Sequence, residues 1–181
     1  MALTTVPAAR TASSVLLACG AALLVSACEF SIGSGGLDYD KLEKAITDEL
    51  NTSYTSIDQT VSGVECPEQS PRPGKGDTFE CTADVGGQTV RVEATVTDDD
   101  YNVNFKTKDT LYDLPSAATT LSDEISNQLE FPVTVDCGEG LKAVEVGSTF
   151  DCTAADENGA ERTVRVTAEP IGENDSWEII G

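Results

Sequence analysis

Histidine is absent from all 181 residues. That removes the usual proton acceptor at neutral pH and the commonest nitrogen ligand for metals. Ser-His-Asp and Cys-His nucleophilic catalysis go with it. Basic residues are scarce: 11 Lys and Arg stand against 32 Asp and Glu, a net charge of −21. Such a surface repels phosphate backbones and anionic headgroups, which excludes nucleic acid as a partner. It favours cationic partners or divalent ions, although scattered acids more often only solvate a surface. No phosphate-cradling loop is present, because the glycines of residues 33–36 lack both a following Lys-Ser/Thr and a preceding strand pattern. Beyond residue 27 no apolar run approaches the about 20 residues that cross a bilayer.

The first 27 residues carry one charge, Arg10, ahead of an apolar run over residues 15–27. The run is short for a membrane span and suits the core of a signal peptide. It ends in Val25-Ser26-Ala27-Cys28, which resembles a bacterial lipobox: an aliphatic residue, two small residues, then a cysteine that receives lipid. Small residues let a peptidase reach the backbone, and the thiol carries the diacylglyceryl group. A rival box ends at Cys19 behind a shorter apolar stretch. Ordinary secretory cleavage would instead leave Cys28 as a free thiol. Residues 1–27 are therefore expected to be a lipoprotein signal peptide and residues 28–38, rich in Gly and Ser, a flexible tether. Acylation at Cys28 would hold the chain on the outer face of the cell membrane.

The remainder is an internal duplication. Gly76-Asp77-Thr78-Phe79-Glu80-Cys81-Thr82-Ala83 returns 71 positions later as Gly147-Ser148-Thr149-Phe150-Asp151-Cys152-Thr153-Ala154. Cys66 and Cys137 precede the two copies at the same distance. Thr89-Val90-Arg91-Val92 returns at an offset of 74 as Thr163-Val164-Arg165-Val166, so the extra three residues lie in the intervening turn. A helical pattern opens each copy: Leu42, Ile46, Leu50, Tyr54, Ile57 and Val61 in the first, Ala117, Leu121, Ile125 and Leu129 in the second. Pro115 suits a first helical turn. Alternating segments around residues 64–66, 78–83, 89–92 and 101–105 predict strands, as do their counterparts ending at residues 176–179. The expected fold is α+β, two modules over residues 39–108 and 109–181. Each has one N-terminal helix packed on a mostly antiparallel sheet of about four strands, and each core is small.

Four cysteines in the modules allow three pairings. The repeat selects Cys66–Cys81 and Cys137–Cys152, one bridge per module, in the oxidising compartment an export signal implies. A metal site is poorly supplied with two thiols and no histidine per module, and a redox pair would want closely spaced cysteines. The bridged loops, residues 67–76 and 138–147, differ most between the copies and, with the hairpin tips, are where specificity would diverge if the modules bind anything; otherwise they are drifting surface loops. Asp98-Asp99-Asp100 and Asp156-Glu157-Asn158 would collect a divalent cation, or simply be solvated turns, since neither has calcium-loop spacing. Tyr101 and Trp177 lie in phase with the core rather than with an exposed sugar-stacking face.

Val64-x-Cys66-Pro67, then Gly76-x-x-Phe79-x-Cys81, a glycine hairpin and Val90-x-Val92 resemble the domain of unknown function 4333 family, in two tandem copies covering nearly all of residues 39–181. The second copy departs with Gly138 in place of proline. The resemblance implies an envelope lipoprotein of actinobacteria and carries no catalytic residue or cofactor. The sequence thus leads to a non-enzymatic, lipid-anchored envelope protein that binds a protein or cell-wall component. A cation-binding surface protein and a wall enzyme using paired carboxylates stand as alternatives.

Overall fold

The computed structural model describes residues 28–30, as backbone, and residues 36–180. The expected signal peptide lies outside them. In the first module the order is β1 (Cys28–Phe30), α1 (Tyr39–Ser53), a 3-10 turn (Tyr54–Ile57), β2 (Val61–Glu65), β3 (Thr78–Val85), β4 (Gln88–Val96) and β5 (Val103–Thr107). The second continues with β6 (Asp109–Asp113), α2 (Leu114–Leu129), β7 (Val133–Asp136), β8 (Leu141–Glu145), β9 (Thr149–Asp156), β10 (Glu161–Thr167) and β11 (Ser176–Ile180). The sheets run β1-β5-β4-β3-β2 and β11-β10-β9-β7, with β6 and β8 forming a separate two-stranded ribbon. All the pairings are antiparallel.

Alternation builds both cores. Phe79, Cys81, Ala83 and Val85 on β3 and Val90, Val92, Ala94 and Val96 on β4 turn inward and are buried, while the residues between them meet solvent to varying degrees. The β3–β4 hairpin closes on Gly86 and Gly87, both at positive φ, as a two-residue turn requires. The extra three residues of the second copy fall in the β9–β10 turn, as the offset predicts.

Each helix starts on an aspartate: Asp38 and Asp113 accept from the N–H groups of Lys41 and Ser116 at 3.1 and 2.9 Å. Pro115 sits in the first turn of α2. The first helical pattern overran its helix. The α-helix ends at Ser53, tightens through Tyr54–Ile57, and Val61 already belongs to β2. Thr52 and Thr55 turn their hydroxyls back onto the carbonyls of Asp48 and Asn51, a habit of hydroxyl side chains that weakens helix continuation.

The helices cover a sheet face and also shield one sheet edge. Leu42, Ile46 and Leu50 are buried in the first core, and Leu114, Leu121 and Ile125 in the second. Polar side chains of the same helices take the outward N–H groups of the edge strands. Asn51 accepts from Val61 at 2.8 Å and Glu43 accepts from Cys66 at 2.8 Å. Ser122 and Ser126 accept from Val135 and Val133, each at 2.9 Å.

Three findings depart from the expected four-strand modules. Cys28–Phe30, expected as the start of a tether, pairs with β5, setting Cys28 opposite Phe105 and Phe30 opposite Val103. Residues 109–113, for which no strand was expected, pair as β6 with β8 from the second bridged loop. β5 starts at Val103 rather than at Tyr101, which lies in the preceding turn at φ 60°.

Candidate functional site

The strand registers place the cysteines. Glu65 lies opposite Thr82 and Asp136 opposite Thr153, so the next residue inward on each pair is Cys66 facing Cys81 and Cys137 facing Cys152. Both pairs are bridged, with Cα atoms 4.3 Å apart in each. Closing such a loop contributes about 3 kcal/mol by the chain-entropy argument.

The two bridged loops have different fates. Residues 67–76 stay mostly exposed, held by the Tyr39 hydroxyl accepting from the Gln69 N–H at 3.0 Å and by Asp77 accepting from the Gly74 N–H at 2.8 Å. Beside this loop lies a surface depression of about 520 Å³ lined by Glu43, Glu65, Gln69, Phe79 and Glu80 among others. Two of its carboxylates have structural partners: Glu43 takes the Cys66 N–H, and Glu80 pairs with Lys108 at 2.8 Å.

Residues 141–145 of the other loop are instead a strand between the modules. The ribbon has two buried faces. Leu111, with half-buried Leu141 and Ala143, packs against the first core, whereas Tyr112 and Val144 belong to the second. Leu141 reaches so near the β3–β4 hairpin that a Cβ on Gly86 would stand 2.3 Å from its Cδ1.

An ion-pair node anchors the ribbon to β4. Asp109, 5% exposed, is the buried charged residue among the described residues. Its Oδ2 accepts from the backbone N–H and the Nε of Arg91, each at 2.8 Å, and its Oδ1 takes the Nη2. Glu145 on β8 reaches the same guanidinium at 3.3 Å. The Arg91 hydrogen bonds hold the Asp109 carboxyl below the usual carboxylate range, against the opposing effect of burial. Farther along, the Thr110 hydroxyl donates to the Glu169 carbonyl at 2.6 Å and the Tyr112 hydroxyl to Asp175 at 2.8 Å. Burial first, then that carboxylate, raises the Tyr112 pKa above its ordinary value.

The first aspartate of each acidic turn is locally satisfied. Asp98 accepts from the N–H groups of Asp100 and Asn102 at 3.0 and 3.1 Å, and from the Asn102 amide. Asp156 accepts from Asn158 and Ala160 at 2.8 and 2.9 Å. These bonds lower both carboxyl pKa values, the Asn102 side chain acting most on Asp98 and the Ala160 N–H most on Asp156. Among the described residues no group of three or more His, Cys, Asp or Glu gathers to hold a metal ion. Trp177 is half-buried against the second core and donates from Nε1 to Glu124 at 3.0 Å. Tyr101 is half-buried against the first.

Residues 22–100 and 106–170 match the family described as Domain of unknown function (DUF4333). The two matches together take in most of the chain, which belongs to that family as a tandem pair. No curated protein and no solved structure matches it. Sequence reasoning missed Asp109, Arg91 and Glu145 as a group. Residues 109–113 do not alternate strictly, and the only strand signal there is the β-favouring Thr110 and Tyr112 on either side of Leu111.

Proposed function

We propose that this chain is a non-enzymatic lipoprotein of the cell envelope, of the actinobacterial kind. Residues 1–27 direct export, acyl chains on Cys28 hold it to the outer face of the membrane, and the paired modules bind a protein or cell-wall component there. The observation that carries this reading is Val25-Ser26-Ala27-Cys28 at the end of an apolar run. Support comes from the two bridges, which suit an oxidising compartment. Support also comes from Asp109, Asp98 and Asp156, whose carboxylates are engaged in an ion pair or in backbone capping. No described helix is long and apolar enough to cross a membrane.

Mass spectrometry of the membrane fraction tests the anchor: an acylated peptide beginning at Cys28 is expected, and an unmodified soluble form overturns it. Crosslinking in intact cells tests the binding role. A specific envelope partner is the expected result, and its absence across crosslinkers of several lengths counts against binding.

A further inference from the structure

Each four-stranded repeat presents two sheet edges, and three of the four are covered. The outer edges of β2 and β7 give their N–H groups to Asn51, Glu43, Ser122 and Ser126. The edge of β5 is covered by β1. The fourth, β11, pairs with β10 alone among the described residues. Uncovered edges offer a row of main-chain donors and acceptors to any extended segment. Ile179 on this strand is 41% exposed, although Phe105, its counterpart at an offset of 74, is buried.

We infer that the free edge of β11 is a docking site for an extended, basic polypeptide segment, added to the sheet as β1 is added to β5. This deepens the binding role proposed above and rests on it. The duplication supplies the geometry. Moving the β1 register by 74 residues sets the incoming strand's central residue opposite Glu178, with its neighbours opposite Trp177 and Ile179. In the first module that central position is Asn104, facing Glu29. The change from Asn104 to Glu178 makes the second edge hostile to an acidic central residue and favourable to Lys or Arg, since like charges directly opposite destabilise a sheet. Arg165, facing Glu178 from β10, gives Nε and Nη2 to Asp151 at 2.8 and 2.9 Å. Glu173 and Asp175 precede the strand. A β1 segment from another copy would bring Glu29 to Glu178, and a second β11 centred there would set Glu178 against itself.

Trp177 is the only tryptophan, so its emission reports on this strand. The purified full chain is titrated with a strand-forming peptide of about nine residues, alternating Thr and Val with Lys at its centre, and with the same peptide carrying Glu. The Lys peptide is expected to shift Trp177 emission, slow amide exchange in β11 and bind about fivefold more tightly than the Glu peptide. Glu178→Gln, an exposed change that sets no like charge against Arg165, is expected to erase that preference. Equal binding of the two peptides by the parent chain, or slowed exchange anywhere but β11, overturns the proposal. So does a β11 edge protected without peptide by self-association, which sedimentation would show. A cellular partner crosslinked to another surface would overturn the β11 site and leave the binding role standing. Absence of any cellular partner would count against that role, whatever the peptides do.

Discussion

Asp109 gains its importance from what surrounds it rather than from its own chemistry. It caps an N–H of β4, pairs with a guanidinium and starts the ribbon between the cores. Asp109→Asn would leave Arg91 poorly compensated. The expected loss in urea unfolding is about 2 kcal/mol, below the figure for a fully buried pair because Arg91 keeps contact with water. The pH dependence follows in sign. Its folded pKa is depressed, so the stabilisation is present above the unfolded value of about 4 and is lost as pH falls through the folded one. Below about pH 4 the stability of Asp109→Asn should therefore fall less steeply than that of the parent chain. Tyr54 presents the opposite case. Its buried hydroxyl has no protein hydrogen-bond partner, and burial raises its pKa with a contribution from Asp109. Tyr54→Phe should keep or raise stability by about 1 kcal/mol, and a loss of that size would show the hydroxyl to be useful.

At the level of elements, the ribbon and the hairpin beneath it are the sensitive points. Leu111→Ala removes a side chain that β6 lends to the first core, and about 2–4 kcal/mol should be lost in denaturant titration. Gly86→Ala meets Leu141 and the Gln59 side chain at a residue already at φ 56°, and should cost about 1–2 kcal/mol, read as a lower Tm. These elements also mark what could be read in advance. The bridges and the hairpin insertion were legible because a repeat fixes register, and register fixes which cysteines face each other. The ribbon was not. Leu141 and Val144 sit between turn glycines in a loop whose counterpart, residues 67–76, is exposed, and their partner strand has no equivalent there. The exposure of Ile179 was hidden for a related reason. Phase says which face a residue shares, whereas burial depends on whether another strand lies alongside.

On the scale of the whole molecule, the two modules share structure rather than merely following one another. Leu111 and Tyr112, adjacent in sequence, enter different cores, as do Ala143 and Val144. Two modules with one bridge each would, standing alone, feel the loss of a bridge separately. With the ribbon between them, calorimetry should record one cooperative transition. Cys81→Ala should lower it as a unit, by about 2–5 kcal/mol. Two well-separated transitions would show the ribbon to be a passive contact. The ribbon also bears on how such a chain can change over generations. Two freshly duplicated copies are interchangeable, and either can be lost, reordered or moved into another gene without harm to its twin. Once a loop of one copy completes the core of the other, that freedom ends. A lone first copy would lack part of its own wall, and a lone second copy would carry an apolar face meant for an absent neighbour. Such a pair is inherited whole, and its copies are free to diverge because neither has to stand alone again.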